Sequence, residues 1–155
     1  PVKLKATPKT WTATTVSVAD MNTEIRDQLN YIGHEYQLSK WYADIANGAG
    51  PVTLLTVTVT GDNARAFRVE FFAWSLWGTT GEVFDFRILR NGTQIGISRV
   101  EIASANVNRI HVVAYDLPPA GAITYSVTHT RVMGSNNGTV KGAGDIPITL
   151  AAVPL

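Results

Sequence analysis

Three histidines are the residues of this chain best suited to acid–base or metal chemistry. His34 follows a glycine, whereas His111 and His129 lie in segments with the two-residue period of β-strands. If those two strands pair, His111 and His129 approach each other, and Asp116 or Glu101 can join them. A metal site needs three or four converging ligands, and no His-Glu-x-x-His or comparable spacing occurs. We therefore expect structural histidines, on polar strand faces or at a subunit interface, and predict no metal site.

Carboxylates and glycine-rich turns are the remaining candidates for catalysis. Asp85 can pair by chance with Glu82 or Glu101 across a hairpin, but glycoside hydrolysis needs two carboxylates fixed in a cleft, roughly 5–9.5 Å apart. No Gly-x-Ser-x-Gly motif marks a serine nucleophile, and the turn from Gly78 to Gly81 lacks the lysine of a phosphate-binding loop. No Asp-rich loop has calcium-ligand spacing. The sequence predicts a protein that is not an enzyme and uses no cofactor.

The composition limits the partners that the chain can have. Its 155 residues are 45% hydrophobic and 16% charged, enough for one domain with a sizeable core. Thirteen Lys and Arg residues against twelve Asp and Glu residues leave a net charge of +1 and no cysteine is present. Nucleic-acid binding is disfavoured because the surplus of cations is missing. No apolar run approaches the roughly 20 residues of a membrane span, so no membrane insertion is expected.

The first fifty residues differ from the rest. Residues 1–15 show no sustained period, which is typical of an arm that a partner orders, and Trp11 needs a pocket that the arm cannot supply. A capping signal at Ser17 and Asp20 predicts a short helix that ends before Gly33. Its apolar residues recur at spacings of four, four and three and form one narrow stripe: Met21, Ile25, Leu29 and Ile32.

This stripe must pack against something, either its own β domain or copies of itself around a symmetry axis. We favour the intermolecular use, because a narrow stripe followed by a glycine suits an external partner. Residues 34–46 show a weaker aromatic pattern that predicts a short helix or an aromatic-rich turn. The run from Asn47 to Pro51 is rich in Gly and Pro, which end helices and strands, so it predicts the boundary between the two units. The predicted units are therefore an attachment and oligomerisation segment at 1–50 and a head domain at 51–155.

From residue 51 onward the apolar period is two. About seven or eight strands are expected, separated by turns, and the dipeptide Asn91-Gly92 is the strongest hairpin signal. A glycine-rich stretch at 134–144 is expected to be a loop. This pattern favours an antiparallel β-sandwich of jelly-roll type. The predicted strands are residues 52–60, 67–73, 83–89, 94–102, 109–117, 122–132 and 146–153.

One predicted strand carries aromatic residues on both faces. Strict alternation places Phe72 and Trp74 on one face and Phe71 and Trp77 on the other. A strand that is apolar on both faces is buried on both. One face would be the sandwich core. The other is expected to be a subunit interface, or less readily an aromatic platform for a sugar, with Phe72, Trp74 and Trp77 as the candidate residues.

Residues 11–32 resemble a segment near the N-terminus of many tailed-bacteriophage virion proteins, which pair a tryptophan and a Thr/Val-rich lead with an Asp-Met-Asn…Ile-Arg-Asp-x-Leu-Asn helix. The match covers about a seventh of the chain. A looser similarity, over residues 86–93, 120–125 and 148–153, is to trimeric jelly-roll heads of phage fibres and decoration proteins. The resemblance implies a virion structural protein.

In that interpretation, Trp11 and the stripe anchor or trimerise the subunit on capsid or tail proteins, and the head projects outward. The protein would be made in the bacterial cytoplasm and incorporated into the virion. Capsid decoration and a short tail appendage both stay open. The alternative is a receptor-binding module at the tail tip that recognises a host surface glycan or protein.

Overall fold

The computed structural model describes residues 37–41, 43–46, 50–103, 108–142 and 146–155. These residues form a mainly β structure of antiparallel sheets packed as a sandwich, and no helix occurs among them. None of the described residues belong to a helix long and apolar enough to cross a membrane. The predicted arm and helix, with Trp11, Met21, Ile25, Leu29 and Ile32, lie outside the described residues.

Ten strands occur in the described part of the chain. In chain order they are β1 (Gln37–Trp41), β2 (Ile45–Ala46), β3 (Val52–Gly61), β4 (Phe67–Trp77), β5 (Val83–Arg90), β6 (Thr93–Glu101), β7 (Asn108–Asp116), β8 (Gly121–Met133), β9 (Thr139–Lys141) and β10 (Ile148–Pro154).

Strand β4 is the centre of the larger sheet. Its first half pairs with β10 and its last three residues pair with β9, while β7 runs along its other side. Strands β1 and β2 extend this sheet by pairing with β10 and β9. The smaller sheet has the order β3-β8-β5-β6, and every pair in both sheets is antiparallel. β4 therefore has one face against the core and the other facing away from the sandwich.

The core lies between the two sheets and is built from their alternating inward side chains. Phe71 of β4 stacks on Phe86 of β5 with ring centroids 6.0 Å apart, and neither ring is exposed. Each such aromatic ring contributes about 1.5–3 kcal/mol by its removal from water. The pair joins the larger sheet to the smaller one near the middle of both, so it fixes their relative position.

The hairpin predicted at Asn91-Gly92 is confirmed. These two residues alone connect Arg90 of β5 to Thr93 of β6, and both have positive φ, 46° and 85°. Positive φ at both central positions is the type I′ geometry, whose twist matches that of the flanking strands. The Asn91 side-chain oxygen also accepts the backbone N–H of Thr124 at 2.8 Å, which ties the turn to β8.

Two local predictions are wrong. Residues 34–46 were expected to form a short helix or an aromatic turn, but their described part contains β1 and β2. Both strands lie before the boundary expected near residue 50 and are hydrogen-bonded into the larger sheet. The stretch at 134–144 was expected to be a loop, but it contains β9. These three strands are short and depend on partners distant in sequence, so local periodicity does not reveal them.

Candidate functional site

Trp74 and Trp77 emerge on the same face of the larger sheet, the face that points away from the core. The register of β4 shifts between Ala73 and Leu76, and both of these residues are fully buried. Strict alternation would set them on opposite faces, so the β-bulge reverses the alternation beyond it. As a result Trp77, 45% exposed, lies on the same side as Trp74, 38% exposed. The expectation that Trp77 shares a face with the buried Phe71 is wrong.

A cation lies against each exposed indole. The guanidinium carbon of Arg109, on β7, is 4.2 Å from the centroid of the Trp74 ring. The ammonium nitrogen of Lys141, on β9, is 4.3 Å from the centroid of the Trp77 ring. Each cation–π contact is worth about 0.5–1 kcal/mol at an exposed position. The two contacts therefore favour the observed orientations of both rings on the sheet surface.

The cation beside Trp77 is itself held in place. Lys141 Nζ bonds Asp44 Oδ2 at 2.5 Å, and the other Asp44 oxygen accepts the backbone N–H of Gly142 at 3.3 Å. Asp44 is in the connection between β1 and β2, so it links this connection to the end of β9. Lys141 thus presents a fixed charge next to the ring.

Polar and aromatic groups continue along the same face toward the start of β4. Glu70 pairs with His111 Nε2 at 2.6 Å and with Arg68 at 3.2 Å. Phe72 is half-buried and packs edge-on against His111, with ring centroids 6.3 Å apart. All three candidate aromatics, Phe72, Trp74 and Trp77, therefore lie on one face. We refer to Phe72, Trp74 and Trp77 with Arg109 and Lys141 as the aromatic face.

The loops at the Trp77 end of the sandwich are ordered by a buried carboxylate. Glu82 Oε1 accepts the backbone N–H groups of Ser135 and Asn136, at 3.1 and 3.0 Å, and the Asn136 side-chain amide at 3.2 Å. These donors lower the pKa of Glu82, the Asn136 backbone N–H most of all, and burial opposes them. Arg131 also donates to the Asn136 carbonyl at 2.9 Å. The turn at residues 134–138 is therefore pre-organised.

His111 and His129 lie in different surroundings on different sheets. His111 lies on the exposed face of the larger sheet, whereas His129 is fully buried on the smaller sheet between Phe84 and Phe86, with centroids 5.2 and 5.3 Å away. Burial lowers the pKa of His129 to about 4. Their strands, β7 and β8, do not pair, so the approach considered from the sequence does not form. The described residues contain no group of three metal-ligating side chains.

The carboxylates considered as catalytic pairs are bound to other groups. Asp85, 1% exposed, accepts two hydrogen bonds from Arg99, at 2.7 and 3.1 Å, and one from Arg87 at 3.0 Å. The Arg99 guanidinium is the main cause that lowers the pKa of Asp85, and burial opposes it. Asp116, which was considered only as a neighbour of the histidines, accepts hydrogen bonds from the Tyr125 hydroxyl at 2.8 Å and from Arg90 at 2.7 Å. These ion pairs and hydrogen bonds fasten neighbouring strands together.

Comparisons with known proteins give no family. No protein-family model and no curated protein matches the chain. Several solved structures are similar to part of the chain, among them those of a toxin, a sugar-binding domain and a virus. The insecticidal delta-endotoxin Cry8Ea1 from Bacillus thuringiensis has a TM-score of 0.46 and 11% identity over 72% of this chain, which spans 19% of the toxin.

The other two structures have lower TM-scores. The C-terminal domain of EclA, a sugar-binding protein, has a TM-score of 0.39 and 15% identity, over 68% of this chain and 74% of its own. The structure of the infectious bursal disease virus Gx strain has a TM-score of 0.33 and 12% identity, over 76% of this chain and 37% of the viral chain. Similarity this low carries no inference about function.

Proposed function

We propose that this chain is a non-enzymatic structural protein of a tailed-phage virion. Its N-terminal segment would anchor it to capsid or tail proteins, and its β-sandwich would be displayed outward as part of a homotrimer. The motif in residues 11–32 supports the virion assignment through its resemblance to phage structural proteins. The proposal also includes an N-terminal arm and helix and a head of jelly-roll type.

The observation that carries the display arrangement is the point at which the chain enters the sandwich. Gln37 begins β1 opposite Ala152, and Ala152 lies opposite Val69, near the start of β4. Trp77 is at the other end of β4. A protein held by residues that precede Gln37 would therefore present the Trp77 end, with its ordered turn at 134–138, away from the attachment point.

The path of the chain supports the jelly-roll part of the proposal. In the described part of the chain, the path changes sheet six times: between β2 and β3, β3 and β4, β4 and β5, β6 and β7, β7 and β8, and β8 and β9. Repeated crossing between two antiparallel sheets is typical of Greek-key sandwiches, the group to which jelly rolls belong. Such a head buries its strands without a helix and leaves loops at both ends for contacts.

Removal of the arm tests the anchoring. The full chain and a variant that lacks residues 1–15 are each added to phage particles that lack this protein, and the bound fraction is measured after sedimentation. We expect the full chain to bind and the truncated chain to stay in solution. Trp11→Ala is expected to weaken binding, and Tyr115→Ala, on the exposed sheet face, serves as the control. Full retention of the truncated chain would overturn the anchoring.

A second candidate function is a receptor-binding module at the tail tip. It is favoured by one observation, the exposure of Trp74 and Trp77 on the same face with a cation at each ring. Large aromatic side chains with polar neighbours are common at recognition surfaces. The two candidates differ in copy number, because a decoration protein covers a capsid lattice whereas a tip protein occupies one location.

A further inference from the structure

We propose that the aromatic face binds an acidic glycan chain that runs along β4. Trp74 and Trp77 would stack against sugar rings, and Arg109 would bind a carboxylate or phosphate group of the glycan. Lys141, whose charge is paired with Asp44, would donate its remaining N–H groups to sugar oxygens. The biological use of such a site rests on the outward display proposed above. Binding itself is a property of the isolated protein, so the two proposals can fail separately.

The first step is the position of the two indoles. They are three residues apart on β4, but the bulge sets three residue steps of β4 against two of β7, so at about 3.3 Å per step the indoles are ~7 Å apart along the strand. This separation lets the two rings contact different sugar units of the same chain. The C–H faces of sugars stack on aromatic rings, and Trp offers the largest such surface. Rings already held by cations lose little conformational entropy when a ligand binds.

The second step is the charge of the surface. The outward positions of the larger sheet carry four cations, Lys40, Arg68, Arg109 and Lys141, against the two carboxylates Glu70 and Asp44. In the part of the chain that the structure describes, both carboxylates are already bound, Glu70 to Arg68 and Asp44 to Lys141. The excess positive charge therefore favours an anionic ligand.

Arg109 strengthens the case for an acidic group. Within the described residues it contacts the Trp74 ring and has no carboxylate partner. A guanidinium has five N–H donors in a planar fork that matches a carboxylate or phosphate, and stacking on an aromatic ring leaves these edges accessible. An anionic sugar seated on Trp74 would thus meet a donor group that is already oriented.

The surroundings of the two rings distinguish a glycan from an apolar protein segment. Thr139 lies directly opposite Trp77, and Lys141, Asp44 and Arg109 complete the border of the ring pair. An apolar helix laid over these groups would have to desolvate three charges without replacing their hydrogen bonds, which is costly. A hydroxyl-rich ligand supplies such bonds.

The test is a binding measurement on the full chain. The probe is an array of bacterial surface oligosaccharides that includes uronate-, sialate- and phosphate-bearing members beside neutral members. Hits are titrated by tryptophan fluorescence with the parent protein and with Trp74→Ala, Trp77→Ala, Arg109→Gln and Lys141→Gln. Trp41→Ala is the matched control, since Trp41 is 50% exposed but belongs to β1 rather than to the aromatic face.

We expect acidic members to bind, and each of the two aromatic-face tryptophan variants to weaken binding about tenfold or more, as loss of a central aromatic contact does. Arg109→Gln should weaken binding of acidic members and reduce its dependence on salt, whereas Lys141→Gln should weaken binding less. Trp41→Ala should bind like the parent.

Three results would overturn the proposal. The first is the absence of binding to every acidic member, and the second is equal binding of neutral and acidic members. The third combines two observations: the parent protein binds no glycan, and Trp74→Ala or Trp77→Ala has a different mass in solution by light scattering. That result would mean that the aromatic face is a contact between copies of this chain. None of these results bears on attachment to phage particles, which the truncation experiment measures.

Discussion

The carboxylate of Glu82 accepts the backbone N–H of Asn136 at 3.0 Å and thereby joins the loop before β5 to the turn between β8 and β9. The turn begins at Gly134, whose φ is 97° and whose missing Cβ leaves the space that the Glu82 carboxylate fills. Glycine is therefore required at 134 for two reasons, the backbone conformation and the close approach of a carboxylate that three hydrogen bonds hold in place.

Gly134→Ala is predicted to lower the free energy of unfolding more than Gly81→Ala. Both glycines have positive φ, for which a Cβ costs about 1–2 kcal/mol. A Cβ at Gly81 meets open space, whereas at Gly134 it displaces Glu82 from Ser135 and Asn136. Urea denaturation of both variants measures the difference. Equal losses would show that the Glu82 contact adds nothing.

Asp85→Asn is predicted to lower the free energy of unfolding by about 1–3 kcal/mol, because it removes the carboxylate that Arg99 and Arg87 share. The loss is limited because both arginines are partly exposed and solvent screens their charges. Since the folded-state pKa of Asp85 is lowered, its contribution is present above its ordinary value of 3.8 and is lost as the pH falls through the lowered one. Arg87→Gln, which removes a single contact, should cost less. Urea denaturation at pH 7 and pH 3 checks both expectations.

His129 is predicted to make the protein less stable between pH 6.5 and pH 4. Its pKa falls from 6.5 in the unfolded chain to about 4 in the fold, so only the unfolded chain binds the proton in this range. At 1.36 kcal/mol per pH unit, the loss approaches about 3 kcal/mol. His129→Leu should abolish this dependence, whereas Ile88→Val should lower stability equally at every pH. A His129→Leu protein that retains the parent's slope would contradict the assignment.

Phe86→Ala is predicted to cost about 3–5 kcal/mol, because it removes the ring that joins β5 to Phe71 of the other sheet and leaves a cavity. Ile97→Ala, on an exposed position of β6, is the comparison and should cost less than about 1 kcal/mol. Thermal and urea unfolding measure both. A small loss for Phe86→Ala would mean that the two sheets do not depend on this contact.

The sequence predicts the strands that alternate clearly. The two-residue period at residues 52–60 and 83–89 locates β3 and β5, and Asn91-Gly92 marks the hairpin, because each of these signals is local. Strands β1, β2 and β9 are missed because pairing with distant partners, and not local pattern, stabilises them. Their detection requires the register of the complete sheet.

The aromatic face was only partly predictable. Its tryptophans stand out in the sequence, but a bulge between Ala73 and Leu76 reverses the alternation that would have placed Trp77 in the core. No periodicity rule locates such a bulge in advance. Arg109 and Lys141 were missed as well, since Arg109 is on β7 and Lys141 is on β9, both far from the indoles along the chain, and only strand pairing brings them together.

The most direct test of the proposed virion role is the quantity of this protein in purified phage particles. Mass spectrometry against the major capsid protein gives the copies per particle. We predict a fixed number divisible by three, as a homotrimer requires: roughly hundreds for capsid decoration, or from three to a few dozen for a tail appendage. Absence of the protein from purified particles would contradict the virion role outright.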